Sequence, residues 1–164
     1  MACEKILVKP VWSQMKQNAG TGAKSGRSLA QFAASLASLR AGITNLEVHF
    51  IGHSAGSIVL GKLLTLLGKK NVTVDSVELN APACTFKFAN RHYANAMKNR
   101  TLAKKSFQCH VISDPRKQDD SIGPYGKSLL YLVSRTLEEG PQDAVVGKGI
   151  RLAELRWLGK HLER

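Results

Sequence analysis

Apolar positions change their period several times along this chain, and each change marks an element. Residues 28–41 place Leu29, Phe32, Ala33, Leu36 and Leu39 at helical spacing, which predicts an amphipathic helix. Residues 45–51 (Asn-Leu-Glu-Val-His-Phe-Ile) have the β-branched and apolar content of a short buried strand. Residues 57–67 then run on as a buried helix, and residues 72–79 alternate as a second strand. A helix that is polar on much of its surface is expected over 86–99, and a third strand over 106–112. Beyond it lie a polar loop at 114–125 and an amphipathic helix at 127–138, built on Leu129, Leu130, Leu132 and Val133. Upstream, residues 11–19 predict a short helix with Trp12 and Met15 on one face. Residues 18–27, rich in Gly, Ser and Lys, read as a flexible linker. The tail over 140–164 is ambiguous, with a brief strand at 144–146 and a helix at 152–162 as its best reading.

Helices and strands thus alternate, which is the pattern of an α/β fold: a mostly parallel sheet flanked by helices in three α-β-α layers. The 164 residues support a single domain with a sizeable core. In such sheets reactive groups collect beyond the carboxyl ends of the strands. Three segments that follow strands, namely 52–56, the turn at 81–85 and the loop at 114–126, are therefore expected to share one sheet edge.

The first of these segments carries the strongest chemical signal. Gly52-His53-Ser54-Ala55-Gly56 spells Gly-x-Ser-x-Gly between a predicted strand and a predicted helix, the context of a nucleophile elbow. A serine at the tip of that turn must take a backbone conformation that non-glycine residues avoid, at a cost of about 1–3 kcal/mol. Strand and helix are expected to pass closely enough that Gly52 and Gly56 carry no side chain. Ala55 is small for the same reason, and its N–H lies at a helix N-terminus, where an oxyanion can be stabilised. His53 is the variable residue of the motif and is expected to turn away from the reaction centre.

A serine nucleophile needs a base, and the base needs a carboxylate to orient it. In α/β-hydrolases the chain order is Ser, then Asp or Glu, then His. The loop after the third strand offers Asp120, Asp114 and Asp119, ranked in that order. His49, His53, His92 and His110 all precede these acids. His49 and His110 fall within predicted strands as structural histidines, and His92 is expected on a helix, at least half exposed. His161 alone follows the acids; its neighbours Trp157, Leu158 and Leu162 suggest a helix rather than a catalytic loop.

Four blocks together resemble a poorly characterised group of α/β-hydrolase-fold proteins of the esterase or lipase type. They are the elbow, Ala-Pro-Ala-Cys-Thr ending at Thr85, Ala-Asn-Arg-His-Tyr ending at Tyr93, and the run from Asp119-Asp120-Ser-Ile-Gly-Pro-Tyr to Arg135. The resemblance covers roughly residues 10–136 and implies Ser54 as nucleophile, Ala55 N–H as an oxyanion donor and Asp120 or Asp114 as the acid. It also implies a second oxyanion donor after an earlier strand, for which only residues 5–8 offer a candidate. A full member has more strands before the elbow and a His-bearing loop after the acid, so a chain shortened at both ends is expected. Such a sheet leaves an unpaired edge strand, which invites self-association or partner binding. The substrate class is a small-molecule ester, thioester or amide; the alternative is a catalytically incompetent member that binds a ligand or partner.

Charge modifies this picture without replacing it. The net charge of +12 points to anionic partners. The cations are dispersed, however, and aromatic residues make up only 6% of the chain, so no stacking platform for nucleic acid is indicated. Cys3, Cys84 and Cys109 are widely spaced, which suits free thiols in a reducing cytoplasm and not a metal centre. No metal or cofactor motif is evident, and no apolar run reaches the length of a membrane span.

Overall fold

A computed structural model describes the backbone of residues 2–111 and the side chains from Pro10 onward. Asp114, Asp119, Asp120 and His161 lie outside the described residues, as do the loop at 114–125, the helix at 127–138 and the tail. Two helices come first, α1 (Ala2–Gly22) and α2 (Ser28–Gly42). They are followed by β1 (His49–His53), α3 (Gly56–Lys69) and β2 (Ser76–Asn80). The next helical stretch runs through α4 (Phe86–Ala89), a π-helical turn (Asn90–Ala94) and α5 (Asn95–Lys98). A 3₁₀ turn (Lys104–Ser106) then leads into β3 (Phe107–His110). The chain is mixed α/β, and its three strands are parallel in the order β1-β2-β3.

Two boundaries differ from those expected at the N-terminal end. Residues 5–8 are helical, inside α1, so they provide no early strand. The linker expected over 18–27 contracts to residues 23–27, because α1 continues to Gly22. A Gln14-to-Asn18 side-chain hydrogen bond of 2.9 Å bridges one turn of that extension, and Ala19 packs on the core. The remaining turn needs a glycine, since Gly26 sits at φ 71°.

The strands also shift toward their carboxyl ends. Residues 46–48 do not enter the ladder; they dock through side-chain and single backbone bonds. Val48 is buried, its N–H donates to Asp75 Oδ2 at 2.7 Å, and its carbonyl accepts from Asp75 N–H at 2.9 Å. Arg40, near the end of α2, clamps the same carboxylate at 2.7 Å and also donates to the Leu46 carbonyl. The Arg40 hydrogen bond, aided by the Val48 N–H, holds the Asp75 carboxyl below its usual range. Likewise only a single bridge, Val74 to Leu102, precedes β2 proper.

Alternation along the strands separates two faces. Val77 and Leu79 are buried, and their register partners Phe50, Gly52, Phe107 and Cys109 share that face. With strands in sequential order and crossovers of one hand, both connecting helical segments fall on this side. α3 supplies Ile58, Leu63, Leu64 and Leu67 to the core, and the α4–α5 stretch supplies Ala89, Tyr93 and Ala96. The helices α1 and α2 pack in turn on α3, burying Trp12 and Ala33. On the opposite face His49, Ile51, His53, Gln108 and His110 are exposed, Ile51 at 72%. The expected third layer is therefore not formed by described residues. No helix among them is long and apolar enough to cross a membrane.

Candidate active site

The Gly-x-Ser-x-Gly segment sits where β1 ends and α3 begins, as its context predicts. Ser54 has φ 49°, in the left-handed region that serine ordinarily avoids. This conformation is held by four hydrogen bonds. Ser54 N–H donates to the Asn80 carbonyl at 3.0 Å. The Ser54 carbonyl accepts from Ser57 N–H at 3.1 Å, from Ala83 N–H at 3.1 Å and from the Ser57 hydroxyl at 2.7 Å. Strain is thus offset by tying the turn to the loop after β2.

The two flanking glycines have different reasons to be glycine. A Cβ on Gly52 would lie 2.7 Å from Leu60 Cδ1 and 3.2 Å from Leu79 Cδ2, so the strand–helix approach does forbid a side chain there. A Cβ on Gly56 would meet nothing within 4 Å. The steric reason expected for Gly56 is therefore absent. It stands at the first position of α3, where the helix axis already carries the chain away from the strand. Ala55 precedes it in helical conformation at φ −61°, and among the described residues nothing accepts from its N–H.

The loop after β2 supports the elbow in a way the sequence did not reveal. Ser57 is fully buried; it donates to the Ser54 carbonyl while accepting from Cys84 N–H at 3.2 Å. Ala81 mirrors Ser54 at the end of the neighbouring strand, with φ 46° and its N–H on the His110 carbonyl at 2.8 Å. Two left-handed non-glycine residues thus stand side by side at one sheet edge, where backbone strain tends to collect at functional sites. Nothing in an Ala-Pro pair signals this, because the residue before proline favours extended backbone. Tyr93 donates its hydroxyl to the Ser57 carbonyl at 2.5 Å, pinning the first turn of α3 from the far side.

The described histidines are distributed away from the serine. His53 ends β1 on the exposed face, in register with Asn80 and, across the sheet, His110. His49 is exposed and bonds Ser76 Oγ at 2.7 Å and Glu47 at 3.2 Å; His110 Nε2 lies 3.6 Å from Glu78. His92 departs from expectation. It is only 6% exposed, because the π-helical turn rotates it beneath Arg91 and against Phe88, ring centroids 4.2 Å apart. Burial lowers its pKa to about 4, helped by Lys62 and Arg91. Among the described residues no side chain hydrogen-bonds to Ser54 Oγ.

Cys84 and Cys109 are free thiols. Burial pushes the Cys84 thiol up to about 12 and that of Cys109 up to about 11, so neither is poised as a thiolate nucleophile. No group of three or more His, Cys, Asp or Glu among the described residues is arranged to hold a metal ion. Comparison with known proteins returns no match: no family model, curated sequence or solved structure is significantly similar to this chain. The reading of the site rests on its own geometry.

Proposed function

We propose that the chain is a serine hydrolase of α/β-hydrolase type, acting on a small-molecule ester, thioester or amide through an acyl-enzyme. The observation that supports this best is Ser54 at φ 49° on a strand-to-helix turn, braced by Ser57 and Ala83. A strained serine so positioned presents its hydroxyl at the carboxyl edge of a parallel sheet. Ser54 Oγ would add to the substrate carbonyl and pass its proton to an imidazole. The resulting oxyanion would accept from Ala55 N–H at the start of α3. Collapse would return the proton to the leaving alcohol, thiol or amine, and water would release the acid by the same steps. Asp120 or Asp114 and His161 are the proposed acid and base, on chain order alone.

The test is labelling of purified protein by a fluorophosphonate probe, beside Ser54→Ala and His161→Ala. Labelling that is lost in Ser54→Ala supports the proposal, and loss in His161→Ala as well assigns the base. Absence of labelling in folded wild-type protein overturns it and favours a hydrolase-like fold that binds without turning over.

A further inference from the structure

The helix layer carries a second concave surface, about 20 Å along α3 from the elbow at 1.5 Å rise per residue. It is a groove between the second half of α3 and the π turn with α5. One section of about 540 Å³ is lined by Thr65, Lys69, Arg91, His92, Lys98 and Asn99, among others. An adjoining section of about 330 Å³ adds Lys62 and shares Thr65, Lys69, Arg91 and His92. The floor is shaped by close helix packing, since Gly68 leaves its Cβ position 2.7 Å from Thr101 Oγ1 and 2.9 Å from Asn99 Nδ2.

Three features of this groove point to an anionic ligand. Four cations line it, and no carboxylate does. Before position 112 the only acidic residues are Glu4, Glu47, Asp75 and Glu78, and none lies on α2, α3 or the stretch from α4 to α5. The charge is therefore not a solvated mixture but one sign focused in a concavity. Polar donors accompany it: Asn99 commits its Oδ1 to Thr101, which leaves its Nδ2 as a donor. The π turn that carries Arg91 and His92 is the third feature, a local irregularity that helices keep mostly at working sites.

His92 adds chemistry to the charge. The Thr65 hydroxyl donates to the Gly61 carbonyl at 3.1 Å, so at 2.7 Å it accepts from His92 Nδ1. That network assigns the ring proton to Nδ1 and leaves Nε2 as an acceptor with no partner among the described residues. We propose that this groove binds a small phosphate-bearing molecule that also carries a hydroxyl. Arg91, Lys69 and Lys98 would hold the phosphate, Arg91 through its planar fork of donors. The imidazole acceptor would take the hydroxyl. A nucleic-acid strand fits less well: the aromatic ring nearest the groove, Phe88, stacks on His92 beneath Lys62 instead of standing free for a base.

Isothermal titration of the full chain tests this, with ribose 5-phosphate, inorganic pyrophosphate and a single-stranded uridine oligomer as probes at about 150 mM salt. The expected result is saturable binding of ribose 5-phosphate that weakens by about tenfold or more in Arg91→Gln/Lys69→Gln. Both residues are exposed, so folding is retained, which circular dichroism checks. Lys104→Gln/Lys105→Gln, which removes equal charge outside the groove, should stay within about twofold of wild type. Ser54→Ala should bind unchanged, which separates this site from the elbow. Equal weakening in both double variants, no saturable binding of either small phosphate, or tight binding of the oligomer alone would each overturn the proposal.

Discussion

The two ends of α3 solve different problems. At its N-terminal end the geometry is set by backbone: Ser54 is locked by hydrogen bonds to Asn80, Ala83 and Ser57, and side chains are mainly kept out. Toward its C-terminal half the geometry is set by side chains that gather around a buried imidazole. A site built from backbone must be spelled in small residues at fixed spacing, so it is visible in the sequence. A site built by packing two distant segments has no such spelling. The difference also predicts opposite sensitivities, steric at one end and electrostatic at the other.

The largest effect should come from the seam between these regions. A Cβ on Gly61 would lie 2.4 Å from Phe88 Cε1 and 3.2 Å from His92 Cβ. Gly61→Val should therefore cost about 3 kcal/mol in urea denaturation, and Phe88→Ala should recover part of it in a double-mutant cycle. Equal losses with and without Phe88 would show that the contact is not the cause.

Next comes the asymmetry within the elbow. Gly52→Ala should cost about 1–2 kcal/mol through Leu60 and Leu79. Gly56→Ala should stay within about 0.5 kcal/mol of wild type. Similar costs for the two would restore the symmetrical role first expected of the glycines.

His92 gives a pH signature at the other end. Its pKa falls from an ordinary 6.5 to about 4 on folding. Between those values the unfolded chain binds the proton and the folded chain does not, so wild-type stability should drop as pH falls from 6.5 toward 4. His92→Phe should flatten that part of the slope, measured as denaturation midpoint against pH. An unchanged slope would mean that the imidazole is charged in its folded setting. The smallest effect is expected for Lys69→Gln, an exposed change that should leave stability within about 0.5 kcal/mol while weakening anion binding.

How far the sequence could be read follows from the same contrast. The helix over 28–41 and the three strands were legible because periodicity reports burial. The strand starts were not, because Val48 is buried without joining the ladder and so mimics a strand residue. The extension of α1 to Gly22 was hidden by its glycines, whose cost is met by packing of Ala19. Ser54 was legible as an elbow; Ser57, Ala81 and Tyr93 were not, since their roles arise only when β2 and the π turn arrive. His92 looked exposed for a related reason: a regular 3.6-residue repeat does not anticipate a π turn, which shifts the following face.

The Ser57 hydroxyl joins segments that are 27 residues apart, bonding the Ser54 carbonyl on one side and Cys84 N–H on the other. The turn around Ser54 consequently has no reason to hold its shape until β2 has paired with β1. In folding terms it is a late event, nucleated elsewhere in the β1-α3-β2 unit. The Ser54 amide, donated to the Asn80 carbonyl, should then exchange with solvent only when the two strands part, at the rate of that whole unit and not of a surface turn.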